Sequence, residues 1–223
     1  MKRVMSIARQ ILILGVVLSF NAGLLFSCRD KIDESDMYSF TGMQIIDYLN
    51  SNDSTTYYAY LTSRVKLSKK SSSTVADLLS ARGNYTCFAP TNEAVQTFID
   101  SVYNTTGYSI YDVSDSTAAE IVNNSLVDSE QEEALLSTSF QVGSLERQNF
   151  NDRFLTVRFD TIEGGKLAIY INTRSRIISA DFEAENGVVH IVNRVISPSN
   201  ETIGALISKT NNLRVHNHTM KLT

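Results

Sequence analysis

The stretch NYTCFAPTNEAVQTFID at residues 84–100 decides the fold, because an apolar run passes into an amphipathic helix there at one of the chain's two prolines. Residues 85–89 are predicted to form a short buried strand. Proline fixes φ near the helical value and has no amide hydrogen, so Pro90 suits a corner between a strand and a helix. Thr91 or Asn92 can accept free amide hydrogens of the first helical turn. We therefore expect the strand and the helix to pack on one core.

The segments on either side of this corner also show helical spacing. The helix that begins near Thr91 is predicted to bury one stripe, formed by Ala94, Val95, Phe98 and Val102. Two short amphipathic stretches lie between residues 43 and 80, and the polar residues 67–73 separate them as a loop. A second long helix is predicted over residues 116–127, with Leu126 inward, and residues 132–136 would add one further turn.

After residue 139 the apolar residues alternate with a period of two, which is typical of strands. One strand carries Leu155, Val157 and Phe159, the next carries Leu167, Ile169 and Ile171, and the glycines at 164–165 predict a hairpin turn between them. Two more strands are predicted at residues 176–182 and 187–196. The last of these is apolar on both faces, so we expect it to be a central strand covered on both sides.

Two stretches have the look of a known family. YTCFAPTNEAV at residues 85–95 resembles the first signature of the fasciclin (FAS1) domain, and NGVVHIVNRVI at residues 186–196 resembles the second. GKLAIYINTRSRIISADFEAENG at residues 165–187 is similar to the usual run into the second signature. The resemblance covers residues 40–198 and implies an α+β FAS1 fold, a β-sandwich-like wedge of about seven strands flanked by several helices. It also implies a role in adhesion or in attachment to a matrix or polysaccharide.

The resemblance assigns structural roles to the signature positions, which are Phe88, Ala89, Pro90, Thr91, Asn92, Ala94, Asn186, Gly187, Val189 and His190. His190 is interpreted as a hydrogen-bonded core histidine rather than a catalytic or ligand residue. The sequence departs from the family at Cys87, where valine is usual and a buried thiol should pack equally well. A Tyr-His pair of many members is missing, with Asn-Asn-Ser at residues 123–125 in its place, so the resemblance gives no support to integrin binding.

The N-terminal residues 1–27 are predicted to be a lipoprotein signal peptide. A basic start precedes an apolar run at residues 11–20 that is too short to span a bilayer as a mature helix. The following LFSC at residues 25–28 looks like a bacterial lipobox, in which Cys28 would be acylated and would tether the protein to the membrane. The alternative is an ordinary secreted protein with a chance cysteine.

Two further segments flank the predicted domain. Residues 28–39 are charged and are interpreted as a solvated tether, although acidic residues after a lipidated cysteine also resemble surface-export signals of some Gram-negative lipoproteins. Residues 199–223 resemble the opening of another FAS1 domain. We therefore interpret the chain as a piece of a longer multi-FAS1 protein, and the alternative is a natural C-terminal helix that docks on the domain.

The sequence contains little that indicates a catalytic or metal site. No nucleophile elbow, phosphate loop or zinc-binding helix motif is present, and no carboxylate or cysteine completes a metal set with the histidines at 216 and 218. The net charge of -4 gives no basic excess for nucleic acid. We therefore predict no enzyme, no metal, no cofactor and no nucleic-acid partner. The candidate binding surface is formed by Tyr103, Tyr108 and Tyr111, which could stack on sugar rings or a protein, or could simply pack on the domain rim.

These observations predict a non-enzymatic adhesion or binding module. It would be lipid-anchored in the outer membrane of a Gram-negative bacterium, face outward, and attach to a glycan or to a surface or matrix protein, with avidity from many tethered copies. The alternative is a structural role, in which FAS1 units act as spacers or scaffolds of a larger outer-membrane assembly.

Overall fold

The computed structural model describes residues 42–129, 133–162 and 164–197. In these ranges the chain forms five α-helices and seven strands: α1 (Ile45–Ser51), α2 (Thr56–Arg64), α3 (Val75–Leu79), β1 (Tyr85–Pro90), α4 (Asn92–Tyr103), α5 (Asp115–Asn124), β2 (Leu126–Asp128), β3 (Gly143–Gln148), β4 (Phe154–Ile162), β5 (Lys166–Ile171), β6 (Ser175–Ala184) and β7 (Gly187–Val192). The predicted signal peptide, Cys28, the tether and the segment 199–223 lie outside the described residues.

The strands form a sheet in the order β2-β1-β7-β6-β5-β4-β3. β1 and β7 run parallel, whereas the other neighbours are antiparallel. The mixed α and β content confirms the predicted class, and β7 lies between β1 and β6, as expected for a central strand. The predicted hairpin is also present, because β4 and β5 pair around a turn in which Gly164 and Gly165 have positive φ.

The strand-to-helix corner forms at the predicted place. Pro90 is the last residue of β1 and pairs with Val192 of β7. Thr91 caps α4, and its hydroxyl oxygen accepts a hydrogen bond from the amide of Ala94 at 3.1 Å. Asn92 does not cap α4; its Oδ1 accepts from the amide of Tyr57 at 2.9 Å, in the first turn of α2. The corner thus joins β1, α4 and α2 through side-chain contacts with backbone groups.

Two apolar cores lie on opposite faces of β1 and β7. Val189 faces the core that the five helices cover, while Val192 faces the core enclosed by β3, β4 and β5. Phe88 of β1 lies in the second core with Leu155 of β4. Every residue of β1 and β7 is buried. Burial on both faces explains why these two strands read as continuous apolar runs in the sequence.

Several predicted boundaries were wrong. The helix predicted to reach residue 127 ends at Asn124, and Leu126–Asp128 instead form β2 against β1. In α4 the buried stripe runs through Ile99, whereas Val102 is exposed. β7 ends at Val192, although the residues that follow include buried Val195 and Ile196. Residues 133–136 contain no helical turn; a short 3₁₀ helix occupies Ser137–Ser139.

Candidate functional site

Asn186 of the second signature connects the helices to the sheet. Its side chain is fully buried, and Oδ1 accepts a hydrogen bond from the amide of Ile45 at 2.9 Å. Its Nδ2 donates to the carbonyls of Leu79 at 2.7 Å and Ala81 at 2.9 Å. The side-chain amide of this residue, at the beginning of β7, therefore provides hydrogen-bond partners for backbone groups at the start of α1 and at the end of α3. A buried polar group with all these partners stabilises one arrangement of these elements.

Gly187 has a conformation and a setting that only glycine allows. Its φ is 147°, and a Cβ at this position would lie 1.9 Å from the carbonyl oxygen of Tyr85 on β1. The missing side chain lets the parallel strands β1 and β7 begin side by side, with Tyr85 opposite Gly187. This signature position therefore serves backbone packing.

His190 is a buried, hydrogen-bonded side chain within the sheet core. Its Nδ1 accepts a hydrogen bond from the amide of Asp181 at 3.2 Å, so the neutral ring carries its proton on Nε2, which lies 2.8 Å from the carbonyl oxygen of Leu135. The ring packs against Phe88 and Phe140, each with ring centroids 5.3 Å away. Burial lowers the pKa of His190, although the carbonyl of Leu135 and the carboxylate of Asp181 oppose this shift.

Cys87 and Tyr58 form a buried pair in the helix-covered core. The thiol of Cys87 donates to the hydroxyl oxygen of Tyr58 at 3.8 Å, and both side chains are fully buried. Burial raises the pKa of Cys87 to about 12 and raises the pKa of Tyr58 well above 10.0. A thiol with this pKa carries almost no thiolate at neutral pH, so it behaves as a small apolar residue.

Of the three tyrosines predicted as a binding surface, two stack on each other and the third is largely exposed. Tyr103 and Tyr108 stack on each other, with ring centroids 4.0 Å apart, and both are half-buried against the helix-covered core. The hydroxyl oxygen of Tyr103 accepts a hydrogen bond from the amide of Ser114 at 2.9 Å. Tyr111 is 71% exposed and touches Tyr60 edge-on. The stacked pair thus packs on the rim, and Tyr111 alone presents a large exposed ring.

A group of arginines that sequence reasoning missed lies on the sheet. Arg158 of β4, Tyr170 of β5 and Arg176 of β6 are register partners across three strands. The guanidinium of Arg158 lies 4.5 Å from the centre of the Tyr170 ring and binds Asp160 at 2.5 Å. A cation above an aromatic ring is attracted to its electron-rich face. The strand pairing therefore assembles a cationic row from residues on three consecutive strands.

This row continues into a shallow depression, which we call the arginine surface. Its volume is about 520 Å³, and it is lined by Tyr170, Arg174, Arg176, Asn193 and Arg194. The amide of Arg176 donates to Oδ1 of Asn193 at 2.9 Å, which holds the turn after β7 against β6. Within the described ranges no carboxylate forms an ion pair with Arg174, Arg176 or Arg194. Three guanidinium groups thus face solvent in a chain whose net charge is -4.

The described residues contain neither a metal site nor a membrane-spanning helix. In the part of the chain that the structure describes, no three histidine, cysteine, aspartate or glutamate side chains converge as a metal site. No described helix combines the length and apolarity that a membrane crossing requires.

The comparisons with known proteins agree with the fold. The fasciclin domain family matches residues 55–198, and the chain therefore belongs to the fasciclin domain family. This family match confirms the FAS1 fold predicted from the two signatures. Among solved structures, the chain is similar to a FAS1 domain pair from the insect cell adhesion molecule fasciclin I, with 18% identity and a TM-score of 0.37. The match covers 73% of this chain and 48% of that chain, so this chain spans about half its length. No curated protein sequence matches.

Proposed function

We propose that the protein is a non-enzymatic adhesion module, held in the outer membrane by lipid on Cys28 and facing outward. Membership of the fasciclin domain family supports this proposal, because fasciclin domains are adhesion-related modules. The arginine surface is the observation that supports the adhesion role most directly. Arg176 lies on β6, Arg174 lies in the turn before β6 and Arg194 follows β7, and attachment to a paired sheet lowers the entropy lost on binding.

The arginine surface suits carboxylate, sulfate or phosphate groups on a glycan or on a surface or matrix protein. A guanidinium group is planar and can donate two parallel hydrogen bonds to such an anion. Arg174 and Arg194 are exposed, and Arg176 is half-buried, so all three can reach a ligand without unfolding. Each contact is weak in water, and many lipid-tethered copies would add their contacts through avidity.

Retention of the protein on anionic surfaces tests the contact. The full chain, purified in detergent, is passed over immobilised acidic polysaccharides and acidic matrix proteins. We expect retention that falls with salt and that the triple variant Arg174→Gln, Arg176→Gln, Arg194→Gln loses by about tenfold. A matched control removes the same charge from Lys69, Lys70 and Arg153, which are exposed elsewhere. Equal retention of both triple variants would contradict the proposal, and no retention at all would favour the scaffold role.

Membrane fractionation tests the anchor separately. We expect the full chain to sediment with the outer membrane and Cys28→Ala to leave that fraction, because acylation needs the thiol. Membrane association of Cys28→Ala equal to that of the unchanged chain would contradict lipid anchoring. Protease accessibility on intact cells tests the outward orientation.

A further inference from the structure

The sheet opens between β5 and β6. The two strands pair only at Tyr170 with Arg176 and at Ile171 with Ser175. On their other sides they remain paired, β5 with β4 from Lys166 onward and β6 with β7 as far as Ala184. Within the described residues, no further register pair joins β5 to β6. The backbone edges at residues 166–169 and 177–180 therefore face each other across an open space, which we call the β5–β6 slot.

The β5–β6 slot is mostly apolar. It has a volume of about 360 Å³ and is lined by Ile162, Lys166, Leu167, Ala168, Ile169, Arg176, Ile177, Ile178 and Ala180. Leu167 is 68% exposed and Ile178 is 48% exposed. Ile169 and Ile177 pack against the sheet core, so the slot continues that core outward. Leu167 and Ile178 are therefore accessible to a partner at the slot.

The slot and the arginine surface are continuous, because Arg176 lines both. The slot therefore meets the arginine surface at the end where β5 and β6 still pair, and Lys166 lies at its other end. Its walls are the facing edges of two strands, and no register pair joins them there among the described residues. Natural sheets usually cover or protect such strand edges. Unpaired edges, apolar walls and a cationic end together define the chemistry of an occupant.

We propose that the β5–β6 slot binds an extended segment of a partner protein, which adds as a strand between β5 and β6. The apolar side chains of that segment would alternate into the slot beside Leu167 and Ile178, and its acidic residues would lie at the Arg176 end. Main-chain hydrogen bonds give affinity in this mode and alternate side chains give specificity. The proposal rests on the proposed function and selects a protein rather than a glycan as the partner.

The charge of the cationic end selects the occupant. An acidic segment gains attraction from Arg174, Arg176 and Arg194, whereas a basic one is repelled. Residues 198–223 of this chain contain three basic residues, Lys209, Arg214 and Lys221, against the single acidic Glu201. Their sequence therefore does not match the slot. A glycan lacks the peptide groups that would pair with two strand edges, although it could still contact the arginine surface.

A peptide titration tests the proposal. The probe is a short fluorescent synthetic peptide that alternates valine with threonine and ends in three aspartates. It is titrated against the full chain in detergent by fluorescence anisotropy. We expect the double variant Leu167→Lys, Ile178→Lys to weaken binding at least about tenfold. Val142→Lys, which changes a 76% exposed side chain before β3, should leave binding unchanged. A peptide with lysines in place of the aspartates should bind at least about tenfold more weakly.

Hydrogen exchange of the same complex locates the peptide. We expect slower exchange of amides at residues 166–169 and 177–180, with little change in β1. Binding that the arginine triple variant abolishes but the slot double variant leaves intact would overturn strand addition. Absence of peptide binding would overturn it too, and the retention experiment on acidic polysaccharides would still decide the proposed function. Retention of polysaccharide with no binding of peptide would thus separate the two proposals.

Discussion

Two neighbouring pairs of strands in the sheet, β1 with β7 and β5 with β6, are built differently. Around β1 and β7, buried polar groups such as Asn186 and His190 find partners at hydrogen-bond distance, and the strands are covered on both faces. Around β5 and β6, large apolar side chains and arginines reach solvent, and the strands separate after two register pairs. The comparison indicates that the buried signature residues stabilise the scaffold, whereas the proposed contact surface uses exposed residues around β5 and β6, together with Asn193 and Arg194 near the end of the second signature.

The largest effect is expected at Gly187. Gly187→Ala would place a methyl group 1.9 Å from the carbonyl oxygen of Tyr85, so β1 and β7 could not keep their pairing. We expect a loss of more than about 4 kcal/mol in the free energy of unfolding, or failure to fold. Gly164→Ala is the control, because its φ is also positive but no atom lies within 4 Å. That variant should lose about 1 to 2 kcal/mol. Equal losses in denaturant titrations would contradict the account.

Asn186→Ala is expected to have the next largest effect. It would remove three hydrogen bonds, two of them buried and one partly buried, and leave the amide of Ile45 and the carbonyl of Leu79 without that partner. We expect a loss of about 2 to 4 kcal/mol in chemical denaturation. Asn50→Ala, at an exposed position of α1, should change stability by less than about 0.5 kcal/mol. A small effect at Asn186 would show that water replaces its contacts.

His190 is expected to give a pH dependence of moderate size. Because its folded pKa lies below the ordinary value of 6.5, the unfolded chain takes up the proton first as pH falls. The stability should therefore fall below pH 6.5, by at most about 1.4 kcal/mol per pH unit, until the folded ring protonates. His190→Gln should remove this slope, and the histidines at 216 and 218 cancel in the comparison. An unchanged slope would place the titrating group elsewhere.

Asp181 should affect the stability of the fold in a separate, more acidic pH range. Burial alone would raise the pKa of its carboxyl group, but hydrogen bonds from Ser137 and the nearby His190 lower it overall. A lowered folded pKa gives stability that is present above the ordinary value of 3.8 and is lost as pH falls through the folded value. Measurements between pH 5 and 7 therefore isolate the contribution of His190.

The smallest effect is expected at Cys87, where a thiol reagent should do almost nothing to the folded protein. The thiol is fully buried and its pKa is raised to about 12, so little thiolate is accessible. The Cys28→Ala variant makes Cys87 the one remaining thiol, and labelling is followed by mass spectrometry with and without denaturant. Fast labelling without denaturant would mean that the helix-covered core opens readily.

Much of the scaffold could be predicted from the sequence because its signals are local. A proline before a capping threonine indicated the strand-to-helix corner at residues 90–91, and two adjacent glycines indicated the β4–β5 hairpin. The end of α5 was missed because Leu126 fits the helical period although it lies on β2. At Leu126 the local structure depends on pairing with β1. A short window of sequence contains no information about that long-range pairing.

The candidate surface could not be predicted because it depends on register. Arg158 and Arg176 are neighbours of Tyr170 only through strand pairing, so their spacing in the chain carries no signal. The β5–β6 slot depends on where β6 leaves β5 and on the irregularities in β6 between Ile177 and Phe182. The close spacing of Arg174, in the turn after β5, and Arg176, on β6, was a local hint.

Amide hydrogen exchange of the chain without any ligand tests the central comparison most directly. We expect the slowest amide exchange in β1 and β7. At residues 166–169 and 177–180, the amides that point into the β5–β6 slot should exchange much faster. Uniform protection across β5, β6 and β7 would contradict this expectation, because it would mean that the slot edges are already covered.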